Sequence, residues 1–504
     1  MSAIAKTGSN RSSRRRRQNG RQQQPKATLN RTTLRTSRLL DFCSRKELIA
    51  QTGHEPRDWP LVILKELLDN ALDACEEVEV APEIKITAND NGITIADNGP
   101  GLPASTITSI LDFSIRVSSR EAYVAPDRGA QGNALKTILA MPFVVDGEQG
   151  TVVIDAHGIV HEITMRVDPI RQEPVIDHKQ KKSGRPRRGT SVTVQMPLSA
   201  FSQPDDEDEF LQNLLEEDDE ETDGEDDQIG ESACCSQDRL KTRFLQIASD
   251  FCWLNPHLTL TMDWFGEQTV TKASDPNWKK WRPSDPTSPH WYGPEHLARL
   301  IAGYIAHDED NNDGRIRLVR ELICEFNGIT GSAKQKLVLD ATDLHRQPLT
   351  AMLNGTGLDM PRVDSLLRAM QDQSRPVKHA RLGIIGKDHL RQRFEEMGCQ
   401  METFKYKRVF DETDGRPEVL EVAFGWCPKS GDQRRLVTGV NWSAAIVNPF
   451  RILGETGRSL DSMLERLKCG MDEEIIIVMH FATPLAEFTD RGKSAIVMTD
   501  GGRR

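Results

Sequence analysis

Between Leu61 and Cys75 the apolar residues Leu61, Leu64, Leu68, Leu72 and Cys75 recur at spacings of three and four, which predicts a helix buried along that stripe. On the same stretch, LVILKELLDNALDACEEVE, the polar residues Glu66, Asn70 and Asp73 also stand four and three apart, so they share a second face. Three polar groups aligned on a largely apolar helix are costly unless they are solvated or used. The period then changes from helix to strand. EIKITAND and GITIADN alternate as two strands joined by a turn at Asn89 to Gly92, with Asp97 at the end of the second. Gly99 and Gly101 follow, where a backbone can pass close to a ligand. RGAQGNALK (Arg128 to Lys136) is a glycine loop running into a helix, and such a loop presents free N–H groups and a positive dipole end suited to phosphate.

Upstream, a helical pattern runs from Ser37 to a stop at Gly53. Downstream, TVVIDAHG and HEITMRV read as strands, Lys179 to Arg188 as a basic turn, and GTSVTVQMP as a strand beginning Gly189-Thr190. A helix from Arg239 to Asn255 and the strand LTLTMDWFG come next. Residues 274–294, with Trp278, Trp281 and Trp291, read as a packed connection, and residues 295–345 as a small helical region. From about Arg375 the strand candidates KYKRVFD, EVLEVAFGW and RRLVTGVNW are followed by the helical SLDSMLERLKCG and the central-strand candidate EIIIVMHFA, and DRGKSAIVM comes last. The expected fold class is α+β. The expected divisions are a disordered basic tail (1–37), a nucleotide-site domain (38–200), a disordered acidic insertion (201–236), a strand and helical region (237–374) and a C-terminal βαβ domain (375–504).

Charge is blocked along the chain rather than spread. The net charge over 504 residues is -11, but residues 205–227 hold fifteen Asp and Glu with no Lys or Arg, and residues 1–38 hold eleven Lys and Arg with no acids. The run Arg14 to Arg17 and the cluster KQKKSGRPRR are candidates for nucleic-acid phosphates, with solvated tail and hairpin loop as their ordinary readings. No apolar run approaches the roughly 20 residues of a membrane span, so no membrane partner is expected. Nine cysteines without a CxxC pair argue against a disulfide framework or zinc ribbon and for a cytoplasmic protein.

Taken together the motifs resemble the GHKL (Bergerat-fold) ATPase superfamily. Glu66, Asn70, Asp73 and Ala74 meet its Glu-x3-Asn-x2-Asp-Ala pattern, and Asp97, Gly99 and Gly101 meet Asp-x-Gly-x-Gly. Gly129 and Gly132 meet the phosphate-lid pattern, which departs at Ala134, and Gly189-Thr190 meets the late Gly-Thr. Within the superfamily, KELLDNALDAC, RGAQGNAL, FCWLNPHLTLTMDW, GVNWSAAIVNPF and DRGKSAI resemble the B subunit of topoisomerase VI, a type IIB DNA topoisomerase. The resemblance implies a Bergerat-type α/β sandwich, a small helix-two-turns-helix-like insertion and a transducer-like C-terminal domain.

It also implies ATP and Mg²⁺ as cofactors, with Glu66 as general base and Asn70 as the Mg²⁺ ligand. Asp97 would accept from the adenine amino group with Thr190 in support, and Gly99 and Gly101 would leave room for the base. Asp73 belongs to the same cofactor-binding set. Gly129, Gln131 and Gly132 would wrap the phosphates, and Lys493 would reach in from the C-terminal domain as a sensor of the γ-phosphate. Lys136, one turn into the helix after the loop, reads either as a phosphate contact or as an ordinary surface lysine. The implied function is an ATP-hydrolysing, ATP-gated homodimerisation module acting on DNA with a separate topoisomerase-A-like or other DNA-handling subunit. The chain runs eleven residues past Lys493, and Tyr123, Tyr292, Tyr304 and Tyr406 all sit in structural or lid-like contexts, so no strand cleavage by this chain alone is expected. The alternative is a chaperone-like or scaffold clamp of the same superfamily that does not act on DNA, favoured by the acidic body. A histidine kinase ranks behind both, because no histidine precedes His54 to serve as phosphoacceptor.

Overall fold

The computed structural model describes residues 43–111, 123–128, 134–168, 170, 173–184, 188–201, 228–310, 317–355, 357–428, 433–451, 458–489 and 495–497, with backbone alone at 199–200, 228–238 and 310. The Arg14 to Arg17 run and the acidic stretch 205–227 lie outside them.

Helix α1 (Arg45–Thr52) starts where the Ser44 hydroxyl accepts from the Glu47 N–H at 3.2 Å and stops at Gly53, whose φ of 71° suits only a residue without Cβ. Helix α2 (Trp59–Glu77) carries Pro60 in its first turn, where a missing N–H costs nothing. Its side chains Leu61, Ile63, Leu64, Leu68 and Leu72 are fully buried, each a stabilisation of about 2 kcal/mol. They pack on the inner face of a twisted sheet whose strand β1 (Glu83–Asn89) alternates, burying Ile84, Ile86 and Ala88. Strand β2 (Gly92–Ala96), helix α3 (Ala104–Ile110), helix α4 (Ala134–Asp146), strands β3 (Gln149–Ala156), β4 (Ile159–Asp168), β5 (Glu173–Lys182) and β6 (Thr190–Gln195) complete the first half.

The sheet does not end there. Helix α5 (Gln228–Leu254) returns the chain to strand β7 (Thr259–Trp264), which pairs with β1 in parallel, and β8 (Glu267–Thr271) adds an antiparallel edge. The eight strands run β5-β4-β3-β6-β2-β1-β7-β8. Three sequence expectations are corrected here. Lys179 to Lys182 belong to strand β5 rather than to a turn, because Ile176 and His178 continue the pairing with β4. Helix α5 begins at Gln228, well ahead of the expected start at Arg239 and inside the stretch expected to be a disordered insertion. And LTLTMDW completes the first sheet instead of opening a separate region.

Helices α6 (Pro294–Asp310), α7 (Val319–Ile323), α8 (Ser332–Thr342), α9 (Met360–Asp372) and α10 (Lys387–Glu396) then lead to a second sheet. Its strands β9 (Gln400–Thr413), β10 (Arg416–Trp426), β11 (Arg435–Val440), β12 (Ser443–Ala444) and β13 (Ile475–Ala482), with helix α11 (Leu460–Arg466) before the last, run β12-β11-β13-β10-β9. β11 and β13 are parallel, joined through α11 as the strand–helix–strand order implied. The apolar run of β13 is buried at every position because its two faces serve two cores. Ile476, Val478 and Ala482 join the core shared with the first sheet, and Ile475, Ile477, Met479 and Phe481 join a smaller one with Phe450, Leu460 and Leu464. A disulfide between Cys399 and Cys427, at the paired ends of β9 and β10, stands against the expectation drawn from the missing CxxC: strand pairing, not local spacing, brings them together.

His389 ties α10 to the first half of the chain. Its Nε2 lies 2.9 Å from the Trp253 carbonyl and its Nδ1 2.5 Å from the Ser274 hydroxyl. Burial, with Arg393 nearby, lowers its pKa to about 4 from an ordinary 6.5. A depressed histidine stabilises above its unfolded pKa, and that stability is lost as pH falls toward the folded value. Unfolding by urea should therefore show wild type losing about 3 kcal/mol between pH 6.5 and 4 through this group, and His389→Gln should flatten that part of the profile.

Candidate functional site

Strands β2 and β6 are paired neighbours, and this sets Asp97 beside Thr190. The Asp97 carboxylate is buried, and its Oδ1 accepts from the N–H groups of Gly99 at 2.8 Å and Thr190 at 3.1 Å. The backbone N–H of Asp97 in turn donates to the Thr190 carbonyl at 2.9 Å. The glycines are spaces that this carboxylate needs. A Cβ on Gly189, whose φ is +83°, would sit 2.0 Å from the Asp97 carbonyl oxygen, and one on Gly99 would sit 3.0 Å from Asp97 Oδ1. Gly101, at φ +91°, passes His157 so closely that a Cβ would lie 3.0 Å from its Nε2. Val192, two residues beyond Thr190 on the same strand face, packs in an apolar cluster with Ile107, Ile110, Leu135, Ile138 and Val152. A buried, pre-oriented carboxylate can accept from a hydrogen-bonding group such as the amino group of a nucleobase.

The polar face of α2 divides into three environments. Glu66 is half-buried and 3.3 Å from the Lys65 ammonium, and Asn70 is exposed. Asp73 is buried and pairs with Arg128 at 2.6 Å, so it is held inside the fold although it shares the helical face. Lys136 is also corrected: it is buried, not a surface lysine, because α4 packs against both α2 and strand β3. Gly129, Gln131, Gly132 and Lys493 lie outside the described residues.

What the sequence reading missed is the set of charges behind this face. Arg128 is fully enclosed. Its guanidinium donates to Asp73 at 2.6 Å, to both oxygens of Glu76 at 2.7 and 2.6 Å, and to Asn255 Oδ1 at 2.6 Å. Lys280, from the connection after β8, lies 3.0 Å from Glu76, and His257 Nε2 lies 3.0 Å from the same carboxylate. Burial pushes the Glu76 carboxyl up, but Arg128 and Lys280 together hold it well below the usual range. Burial opposes the charge of Arg128, and the two carboxylates more than offset that. Burial depresses His257, which therefore serves Glu76 as a neutral donor. The signal was present in the sequence: Asp69, Asp73 and Glu76 repeat the four-and-three spacing of Glu66, Asn70 and Asp73, shifted by three residues.

All four tyrosines are tied into the protein. Tyr123 and Tyr304 bond each other and Glu325, Tyr292 accepts from the Val124 N–H, and Tyr406 donates to Glu421 at 2.6 Å.

Residues 57–200 match the family of histidine kinase-, DNA gyrase B-, and HSP90-like ATPases. This part of the chain, which holds Asp97 and α2, thus carries the pattern of a GHKL-type ATPase domain. The relatives it resembles are B subunits of type 2 DNA topoisomerase 6. That of Natronomonas pharaonis is 29% identical over 142 residues, which is 26% of this chain and 17% of that protein. That of Archaeoglobus fulgidus is 26% identical over 142 residues, 27% of this chain and 23% of that protein. The matched stretch thus spans less than a quarter of either relative. The solved ATPase region of Saccharomyces cerevisiae topoisomerase II aligns with 88% of this chain and 79% of its own at 12% identity, but at a TM-score of 0.35 the likeness carries no weight.

Two substitutions separate the pocket from its support. Arg128→Met takes the guanidinium from buried Asp73 and Glu76, leaving Lys280 beside them, and should cost about 3–5 kcal/mol in urea unfolding at pH 7, with part recovered in the Arg128→Met/Glu76→Gln pair. Gly189→Ala should cost about 2 kcal/mol or more, because the added methyl overlaps the Asp97 backbone at a positive φ.

Proposed function

We propose that the chain is a Mg²⁺-dependent, ATP-hydrolysing module that dimerises on binding ATP and acts on DNA with a separate partner protein, in the manner implied by its likeness to the B subunit of topoisomerase VI. The observation that supports this most is the Asp97 carboxylate, held by Gly99 and Thr190 N–H groups within a segment matching an ATPase family. In this reading Asp97 accepts from the adenine amino group, Thr190 fixes the carboxylate, and Gly99 and Gly101 give the base its room. Gly129, Gln131 and Gly132 wrap the phosphates with backbone N–H groups, Lys136 adds charge at the start of α4, and Lys493 contacts the γ-phosphate from the C-terminal domain.

Asn70 is exposed one turn from Glu66, so an amide oxygen and a carboxylate face the same side of α2. That donor set fits a hard, oxygen-seeking cation, and Asn70 would hold Mg²⁺, which when bound offsets the phosphate charge. Glu66 takes the proton of the attacking water. The Lys65 ammonium lies 3.3 Å from its half-buried carboxylate and can orient it. Asp73 does not touch the nucleotide in this scheme; it anchors Arg128 behind the site.

Glu66→Ala should bind ATP with near wild-type affinity while turnover falls by about 100-fold or more, and size-exclusion with ATP should then collect the dimer. Wild-type turnover in that variant removes Glu66 from the chemistry. Adding duplex DNA at low salt should raise the wild-type ATPase rate; indifference to DNA, with no DNA retained, selects the clamp that works without it.

A further inference from the structure

The outer face of the second sheet is apolar across its width but buried over only half of it. Along β10, Leu420, Val422, Phe424 and Trp426 alternate with buried residues and point to that face, where each is half-buried. Their partners on β13, Phe481, Met479, Ile477 and Ile475, are buried in the small core with Leu460 and Leu464 of α11. On the other side, the residues of β9 paired with Leu420, Val422 and Phe424 are Val409, Lys407 and Lys405, all exposed. Helix α10 meets the opposite face of β9, where Phe394 lies against Phe404. Beside α11 there remains an apolar strip two strands wide with an ammonium rim. The acids of this face, Asp411 and Glu418, stand opposite each other one step beyond Val409 and Leu420.

A stretch of this same chain has the complementary chemistry. Between residues 202 and 227 the apolar residues are Phe210, Leu211, Leu214 and Leu215, among fifteen Asp and Glu and no Lys or Arg. Wound as a helix, those four positions form one stripe about 140° wide, with Asp208 and Glu209 before it and Glu216 and Glu217 after it. The stretch is tied to α5 at both ends: the turn at Leu198–Phe201 packs against that helix, and Gln228 begins it. Tethers of nine residues from Phe201 and thirteen from Gln228 reach up to about 30 and 43 Å. The helix from Gln228 to Asp250 is about 33 Å long. At Asp250 it receives Arg435 at 2.7 Å, and Arg435 and Gly425 pair with the same residue of β13, Ile476, beside the Trp426 end of the strip.

We propose that residues 210–215 dock, within the same chain, on the outer face of β9 and β10. The four apolar side chains lie on Leu420, Val422, Phe424 and Trp426, and the flanking carboxylates meet Lys405 and Lys407. A helix about 10 Å across spans two strands about 4.8 Å apart, which is the width left beside α11. Apolar burial supplies the contact, and charge sets its register, since the acids are drawn to the lysines and repelled by Asp411 and Glu418.

The test is zero-length carbodiimide cross-linking of the full chain at low salt, read by peptide mass spectrometry. Links from Lys405 or Lys407 to acids of residues 205–227 are expected, at a yield independent of protein concentration. Leu211→Ser/Leu214→Ser keeps every charge and should cut that yield about tenfold or more, with links elsewhere unchanged. Val409→Asp alters the face at an exposed position instead of the segment, and should cut it likewise. An undiminished yield in Leu211→Ser/Leu214→Ser overturns the proposal and leaves only general attraction between acids and lysines. Absence of these links from the purified chain overturns it too, and leaves the strip to a partner protein. In a mixture of isotope-labelled and unlabelled chains, links that join two copies overturn it in favour of a second copy.

Discussion

A guanidinium with no access to water is stable only if carboxylates surround it, and the architecture of this protein is arranged to surround Arg128. Asp73 and Glu76 come from one helix, Asn255 from the end of α5, and the Lys280 ammonium shares Glu76 from the connection after β8. None of these segments could move far without exposing a buried charge to an apolar interior, a cost of several kcal/mol per ion. The segment that supplies Arg128 is held on other sides as well. The Val124 N–H donates to Tyr292, the Val124 carbonyl accepts from Thr287, and the Asp127 carbonyl accepts from Asn441. Three parts of the chain, the nucleotide-site helix, the helical region and the second sheet, therefore meet on six residues, 123–128.

This junction adds polar links between two sheets whose buried cores are continuous. Trp442 fills the space between them, fully buried, with Lys280 5.2 Å from its ring and His480 beneath it. Glu421, also fully buried, accepts from Ile385 and Gly386 N–H groups at 2.9 Å each and from Tyr406, and these bonds together with His480 hold its carboxyl below the ordinary range although burial pushes it up. The pattern repeats: a buried charge whose partners lie far off in sequence fixes the relation of elements that apolar packing alone would leave able to slide. Against this rigid frame the polar face of α2 is graded from buried Asp73 through half-buried Glu66 to exposed Asn70. The gradient places structural charge inside and candidate chemistry at the surface of the same helix.

Periodicity and motif spacing determined a good deal without any structure. The three-and-four repeat of leucines marked the buried stripe of α2, the alternation around Asn89 to Gly92 marked the first hairpin, and the apolar run at Ile475 marked the central strand of the second sheet. Gly99 and Gly101 were legible as places where backbone passes closely, because a Cβ at either would meet a neighbour at 3.0 Å. These features are local, set by a residue and its near neighbours in the chain. What only the tertiary structure decided is which charges face one another. Asp73 looked like a member of the ligand face until Arg128 was seen against it, Lys136 looked exposed until α4 was packed on two layers, and β7 looked like the start of a new region until it paired with β1. Cys399 meets Cys427, and Ser443 meets Asp69, only because strands and helices far apart in sequence are brought to adjoining positions. A charge or a thiol carries no sign of its partner in the sequence. Its partner is chosen by the packing of apolar surfaces, which is a property of the whole chain.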